Sequence, residues 1–243
     1  MHVVTKRDEL KQEFRALPLV IDHILVGSLR PLGQRALLSG IAKNVVGGIT
    51  VLTVNGFVGD EQGDKKNHGG PEKAVHHYAR EHYPRWTKLI GEQAVLKQPG
   101  AFGENLSTKG LTETDVAVGD TFKLGGAIIQ VSQGRQPCWR LNSRFETPDM
   151  ALKVQNSGMT GWYYRVLQPG RVKAGNELEL IDRLSPEWTI RRIWQTFYLD
   201  RMNINELSQI AGLAHLPEKW REYARKRVAS GQVEDWEKRL KSP

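Results

Sequence analysis

The sequence predicts a mainly β protein with a small helical module at its C-terminal end. Up to residue 184, runs of branched and aromatic residues bounded by Gly or Pro recur, as is typical of strands joined by turns. After Ser185 the apolar residues instead repeat with the period of a helix. We therefore expect an N-terminal helical extension at 1–20, a β-rich domain at 21–184 and a three-helix module at 185–243.

A hairpin within Val116–Ser132 is the clearest predicted β element. Phe122 and Leu124 alternate with polar residues, and Gly125-Gly126 can form the turn, because a Gly pair tolerates the backbone angles of tight hairpins. The other predicted strands are Ile21–Leu29, Ile49–Phe57, and a strand pair formed by Tyr163–Leu167 with Glu177–Ile181.

Helices are predicted at both ends of the chain and within the β-rich domain. Ser185-Pro186-Glu187 has the hydroxyl, the proline and the carboxylate that are typical of a helix start, so we expect the first helix of the module to begin there. The other predicted helices are Arg7–Arg15, Arg80–Leu89, Asp149–Gln155, and two in the module around 207–214 and 220–227.

The composition favours a cytoplasmic protein with no membrane partner. No apolar run approaches the roughly 20 residues that a bilayer-spanning helix needs. Charged side chains occur throughout the N-terminal segment, which therefore lacks the apolar core of a signal peptide. A single cysteine cannot form an intramolecular disulfide, and secreted chains seldom carry one free thiol.

The net charge of +8 raises the possibility of a nucleic-acid partner. The excess is diffuse: residues 185–243 hold 11 Lys and Arg against 8 Asp and Glu, and the preceding residues hold 24 against 19. The helices on either side of Gly212 also have a weak similarity to a helix-turn-helix motif, although such helix pairs are common packing modules. We expect anionic small molecules, and no sequence-specific nucleic acid, as partners.

Two loops carry side chains suited to ligand binding. In the first, the Gly69-Gly70 amides can approach an anion closely and Lys66 adds a positive charge, although such a loop can also be a simple surface turn. His68 is a structural residue or a ligand, and the histidines between 76 and 82 lack the spacing of a zinc pair. The second loop contains Glu104 and Asn105, which either contact a heterocycle or cap a turn.

The only cysteine, Cys138, follows Pro137 in a third loop, outside any alternating apolar pattern. Arg135 and Arg140 are close enough in sequence to favour the thiolate form. A thiolate serves as a nucleophile or as a soft metal ligand, whereas a structural cysteine is a small buried apolar residue. A Cys–His hydrolase would also need a histidine beside the thiol in space.

Together the three loops resemble the signature of the MOSC domain family, which is named after the C-terminal domain of molybdenum-cofactor sulfurases. The resemblance extends from about Ile49 to Ile181, and the helical tail is similar to the extension of the YiiM-type subgroup. The matching pieces are Lys66-x-His68-Gly69-Gly70-Pro71, Phe102-Gly103-Glu104-Asn105-Leu106, Gly119-Asp120 and Arg135-x-Pro137-Cys138.

This resemblance implies a barrel-like β domain that binds the pterin-based molybdenum cofactor (molybdopterin with molybdenum). It assigns Cys138 to the metal. It further implies reduction of N-hydroxylated compounds such as hydroxylaminopurine, a toxic base analogue. The expected phosphate contacts are Lys66, Gly69, Gly70 and Arg135, and the expected pocket or pterin contacts are His68, Glu104 and Asn105.

The electrons for such a reduction are expected to come from a separate reductase. One cysteine cannot hold an iron–sulfur cluster on four thiolates, and the chain has no Gly-x-Gly-x-x-Gly dinucleotide motif. Two alternatives stay open at this point. In the first alternative, the protein is a cofactor or sulfur carrier with a persulfide on Cys138. In the second, it is a non-enzymatic interaction module.

Overall fold

The computed structural model describes residues 19–34, 36–64 and 68–241, and the predicted helix at Arg7–Arg15 lies outside them. The described residues contain thirteen strands, which we number in chain order. They are β1 His23–Val26, β2 Arg30–Leu32, β3 Leu37–Ser39, β4 Asn44–Val45, β5 Thr50–Thr53, β6 Gly56–Phe57, β7 Val75–Ala79, β8 Leu106–Thr108, β9 Thr121–Leu124, β10 Ala127–Gly134, β11 Trp162–Gln168, β12 Gly170–Val172 and β13 Leu178–Asp182.

Seven α-helices accompany these strands in the same described residues. They are α1 His82–Ile90, α2 Arg140–Arg144, α3 Met150–Ser157, α4 Ile190–Tyr198, α5 Ile204–Ala211, α6 Glu218–Ser230 and α7 Glu237–Leu240. None of these helices is long and apolar enough to cross a membrane.

Eight strands form one curled, barrel-like sheet in the order β13-β9-β10-β11-β7-β8-β1-β4, in which only β7 and β8 are recorded as a parallel pair. Two smaller sheets, β12-β5-β6 and β2-β3, lie beside it. The predicted mainly β fold with a few helices and a C-terminal helical module is therefore confirmed.

The β9–β10 hairpin and the helices α1 and α3 agree with the sequence prediction. The prediction of one strand over Ile49–Phe57 was wrong, because the segment folds back on itself as β5 and β6, with Leu52 opposite Phe57. The two residues of this turn are Val54 and Asn55, and an Asn tolerates turn conformations, so the turn outweighed the apolar run around it.

The segments Tyr163–Leu167 and Glu177–Ile181 are both strands, but their predicted pairing was wrong. β11 pairs with β10 and β7, whereas β13 pairs with β9. Between them, β12 leaves the large sheet and pairs with β5. The alternating pattern of a strand identifies its buried face but not its partner, so sequence proximity predicted the wrong neighbour.

The first helix of the C-terminal module begins later than predicted. Residues 185–187 form a turn, and α4 begins at Ile190, with the Thr189 hydroxyl accepting a hydrogen bond from the Arg192 amide (3.1 Å). The backbone before it is held in an extended form, because the Val118 amide donates to the Trp188 carbonyl (3.0 Å). Tertiary hydrogen bonding therefore overrode the local helix-start signal.

The helical module packs on the sheet, as its apolar stripes predict. Ile193, Trp194 and Trp220 belong to the same hydrophobic cluster as the sheet residues Val131 and Trp162. A second cluster lies beneath the loops that carry the candidate site, where the rings of Tyr78 and Phe102 stack with their centroids 4.1 Å apart. The loop after Gly100 and the loop after Cys138 thus share one rigid support.

Candidate cofactor site

Cys138 lies between the end of β10 and the start of α2, and its residue is 5% exposed. Its Sγ atom is 3.2 Å from Nε2 of His68, although the two residues are 70 positions apart in sequence. His68, which the sequence analysis named as a pocket residue, therefore lies beside the thiol, a contact that the sequence alone could not show. Oδ2 of Asp64 is 3.6 Å from Nδ1 of His68, so a thiol and a carboxylate lie near the two ring nitrogens of one imidazole.

This environment favours the thiolate form of Cys138. Burial alone would raise the pKa of the thiol, because it penalises the charged form. The hydrogen bond and charge of His68, the charge of Arg135 and the backbone amide of Arg140 outweigh burial and lower the pKa to about 6. At neutral pH the group is therefore a ready nucleophile or soft metal ligand.

A cavity of about 570 Å³ opens on one side of Cys138. Its walls come from at least five separate parts of the chain, which only the fold brings together. The lining includes Lys43, Asp60, His68, Lys73, His76, Phe102, Asn105, Arg135, Cys138 and Tyr163.

Arg135 is buried in this wall with unused hydrogen-bonding capacity. It interacts with the Tyr163 hydroxyl, but its Nη1 atom has no hydrogen-bond partner among the described residues. Nε2 of the neighbouring His76 is also unpaired there, and burial together with the charge of Arg135 holds the pKa of His76 well below its usual range. Unsatisfied buried donors are costly, so this wall is suited to an anionic or polar ligand.

The sequence analysis did not identify two lysines that line the cavity, Lys73 and Lys43. Burial first, and then the charge of Lys219, lowers the pKa of Lys73 to about 8. Burial also lowers the pKa of Lys43, which forms an ion pair with Asp60. Lys73 lies two residues after Pro71 of the Gly-Gly-Pro loop, so the loop motif could have indicated it. The segment around Lys43 has no sequence motif that indicates a site.

Asn105, a predicted site residue, lines the cavity but uses its amide to fix the backbone. Its Nδ2 atom donates to the Leu25 carbonyl (3.1 Å) and to Oδ2 of Asp60 (2.9 Å). Its Oδ1 atom accepts from the His76 amide (3.0 Å). These bonds tie β1, β7 and the Asp60 loop together, so Asn105 positions the wall of the cavity.

Glu104 lies outside the cavity lining and is fully buried. Its oxygens accept hydrogen bonds from the Gly100 amide (2.7 Å), the Phe102 amide (3.0 Å) and the Tyr83 hydroxyl. The carboxylate therefore holds the loop that precedes β8. Gly103 in this loop has φ +76°, and a Cβ there would lie 2.8 Å from the Ile41 side chain, so glycine is required.

A second buried carboxylate, which the sequence analysis did not identify, supports the loop that precedes β11. Glu113 pairs with Nε2 of His82 (2.6 Å) and accepts the amides of Thr160 (2.9 Å) and Gly161 (2.6 Å). The Gly161 carbonyl in turn accepts the Arg135 amide (3.0 Å), which links this network to the site.

The Gly69-Gly70 pair connects His68 to the short 3-10 turn at Pro71–Lys73. Gly70 has φ +92°, which favours glycine, and open space surrounds it. Neither glycine lines the cavity. Lys66 lies outside the residues that the structure describes.

The residues 19–34, 36–64 and 68–241 contain no group of three or more His, Cys, Asp or Glu side chains arranged to hold a metal ion. The described residues would therefore supply few of the ligands of a metal at this site, and Cys138 would be the soft ligand among them.

Comparison with known families gives two matches on this chain. The MOSC domain model matches residues 64–179, and the model of the YiiM-like, 3-alpha helix domain matches residues 188–231.

Individual proteins show the same similarity. Protein YiiM of Escherichia coli is 45% identical over 202 residues, which cover 83% of this chain and 90% of that protein. The crystal structure of YiiM from Geobacillus stearothermophilus has a TM-score of 0.73 at 34% identity, covering 87% of this chain and 100% of that one. A Gibberella moniliformis protein named a reductase is 34% identical over 176 residues, which cover 72% of this chain but 31% of that protein.

Proposed function

Because the chain belongs to the MOSC domain family, in the form that carries the YiiM-like three-helix domain, we propose that it is a molybdenum-cofactor-dependent reductase of N-hydroxylated compounds. The observation that carries this proposal is the low-pKa thiolate of Cys138 at a cavity that also holds Arg135, whose Nη1 atom has no hydrogen-bond partner among the described residues. These two groups match the two ends of a ligand with a soft metal and an anionic group.

The residues present fit the cofactor. A thiolate is a soft ligand that suits a metal already bound by sulfur. It lies in the wall of the cavity, which is open to solvent, together with the buried Arg135. The guanidinium of Arg135 is suited to the cofactor's phosphate, because it can bind oxygen pairs in a fixed geometry. In this assignment Cys138 holds the metal, and Asn105 and Glu104 keep the surrounding loops in place.

The proposed reaction converts an N–OH group to N–H. It consumes two electrons and two protons, breaks the N–O bond and releases water. When bound, the cofactor supplies the two-electron redox change. The chain supplies groups that hold protons beside the thiolate, namely Nε2 of His68, with Asp64 on its other ring nitrogen, and the ammonium of Lys73.

We propose that the electrons come from a separate donor protein. The chain lacks the dinucleotide motif and the cysteines that a second redox centre would need. The similarity to the Gibberella moniliformis reductase supports the reductive chemistry. In that protein more than two thirds of the length lies outside the match, so it has room for functions that this chain does not contain.

The test compares wild-type protein with Cys138→Ser after expression in a host that makes the cofactor. We expect the wild type to contain molybdenum and pterin and to convert hydroxylaminopurine to adenine with a chemical electron donor. Cys138→Ser should lose most of both. Ser143→Ala is the matched control, since Ser143 lies on α2 just after the thiol but outside the cavity lining. Full molybdenum content and full activity in Cys138→Ser would refute the assignment.

A cofactor or sulfur carrier is the second candidate, and the distance of 3.2 Å between His68 and Cys138 favours it. A thiolate activated in this way can attack the outer sulfur of a donor persulfide and keep it as a persulfide on Cys138, while the donor leaves as its own thiolate. In that case the wild type would show a persulfide mass on Cys138 after incubation with a sulfur donor, and cofactor-loaded protein would not reduce any of several N-hydroxylated compounds.

A further inference from the structure

A second cavity, of about 1040 Å³, lies on the other side of Cys138. It is enclosed by the loop around Cys138 and by the C-terminal part of the chain from α6 onward. The two cavities adjoin, because they share six lining residues: Asp64, His68, Lys73, Cys138, Arg140 and Tyr163. A ligand in the second cavity would therefore lie next to the thiol and next to a ligand in the first.

The walls of this second cavity are richer in aromatic side chains than those of the first. Trp139 and Tyr163 come from the β-rich domain, whereas Tyr223 and Trp236 come from the C-terminal part. Trp236 is held in place by Tyr198, whose ring centroid is 5.1 Å away. Aromatic walls bind planar rings through stacking and edge contacts in addition to burial.

The C-terminal segment that carries Trp236 is fastened to the loop of Cys138. The Trp139 amide donates to the Arg239 carbonyl (2.8 Å), and Nδ2 of Asn142 donates to the Leu240 carbonyl (2.9 Å). The Arg239 guanidinium donates to the Pro137 carbonyl and to Oε1 of Gln155 (2.6 Å). The segment is thus a built wall of the site, and it lies beyond residue 231, where the match to the three-helix domain ends.

We infer that the second cavity binds the substrate, and that Trp236 and Tyr223 are specificity-determining residues that select planar aromatic N-hydroxylated compounds over aliphatic ones. The inference rests on the proposed function, in which the first cavity holds the cofactor. A planar ring against these side chains would lie with its N–OH group toward Cys138, where the two cavities adjoin. The helical module then contributes directly to catalysis by selecting the substrate.

The kinetic test uses Trp236→Leu and Tyr223→Leu with two substrates, hydroxylaminopurine and the small aliphatic N-methylhydroxylamine. Rates are expressed per bound molybdenum, so that differences in cofactor loading do not enter. We expect the ratio of kcat/KM for the aromatic substrate to that for the aliphatic one to fall about tenfold in each variant, mainly through KM. Trp236→Phe and Tyr223→Phe, which keep an aromatic ring, should restore most of the ratio.

A binding test separates this inference from the proposed function. Calorimetry measures the affinity of hydroxylaminopurine for cofactor-free wild-type protein and for the two leucine variants. Weaker binding to both variants by about tenfold supports the inference even if the loaded enzyme turns over no substrate. An unchanged substrate ratio in turnover, or unchanged affinity in the binding test, would overturn the inference and leave the proposed function standing on its own experiment.

Discussion

Arg135 and Arg227 are both buried, one in the candidate site and one in the helical module, but their surroundings differ. The Arg227 guanidinium forms two hydrogen bonds to Glu234 (3.0 and 2.8 Å) and donates to the Phe197 carbonyl (2.9 Å). It also lies over the Phe197 ring, 4.8 Å from the centroid. Arg135 by contrast leaves Nη1 without a partner among the described residues.

This difference in hydrogen bonding distinguishes a buried cation that stabilises the fold from one that has capacity left to bind a ligand. A buried cation with every donor satisfied contributes to folding, because its attraction and hydrogen bonds offset the loss of hydration. A buried cation with an unused donor is a cost to the ligand-free fold, and that cost is recovered when an anion binds. Arg227 holds the C-terminal segment through Glu234, and Arg135 is the residue that the proposal assigns to an anionic ligand.

The largest effect on stability is expected for Arg227→Met. This change removes the cation and leaves the Glu234 carboxylate without its partner, so we expect the free energy of unfolding to fall by about 3 kcal/mol. Denaturant unfolding of the cofactor-free protein measures it. Arg192→Met is the matched control: the Arg192–Glu206 pair has similar geometry, but the Arg192 side chain is 37% exposed, whereas that of Arg227 is 1% exposed. The control should lose about 1 kcal/mol or less, and an equal loss in both variants would contradict the distinction.

A smaller effect on stability, with a larger one on binding, is expected for Arg135→Met. Removal of an incompletely paired buried cation should change the free energy of unfolding by less than about 1 kcal/mol, in either direction. The same variant should bind the cofactor at least about tenfold more weakly, since a charge-assisted hydrogen bond to the anion is lost. Unfolding curves and pterin content measure the two effects. A loss of stability as large as that of Arg227→Met, with normal pterin content, would make Arg135 a structural residue.

The most local effect is the ionisation of Cys138 in cofactor-free protein. Its thiolate fraction should rise with pH through a midpoint near 6, below the value of about 8.5 for an ordinary thiol. His68→Gln should move the midpoint upward, because burial then acts against the thiolate with less compensation. Ultraviolet absorbance of the thiolate, with Cys138→Ser as the blank, gives the titration. A wild-type midpoint at the ordinary value would contradict the assigned roles of His68 and Arg135.

Local patterns predicted the elements whose partners are close in sequence. The β9–β10 hairpin depends on one alternating run and one Gly-Gly turn, and α3 ends at Gly158, whose φ of +71° suits a helix terminus. The errors in predicted secondary structure occurred where contacts with residues distant in sequence outweigh the local pattern. The 185–187 segment has a helix-start pattern, yet its neighbours are engaged by residues 116–118 as an extended chain. The short helix α7 was missed because its position depends on contacts with the loop of Cys138.

The candidate site likewise has some features that local motifs predicted and others that only distant contacts decided. The motif residues identified the thiol, its neighbouring arginine and the histidine that contacts it, because family motifs record residue types at fixed spacing. They gave no distinction between Asn105, which lines the cavity, and Glu104, which lies behind it with its oxygens bonded to Gly100 and Phe102. Both are polar residues of one loop, and a single residue step decides which of them faces the cavity.

By itself the sequence determined the family, the mainly β class and the helical tail, and it singled out Cys138 as the candidate residue, because these depend on residue types and on periods of a few residues. Only the tertiary structure decided which side chains meet at the thiol. Lys43, Lys73 and Trp236 are remote from one another in sequence and come to the two cavities through strand pairing and through the return of the C-terminal segment. The physical reason is that cavities and charge environments are made by long-range packing, and no local pattern encodes a contact between distant segments.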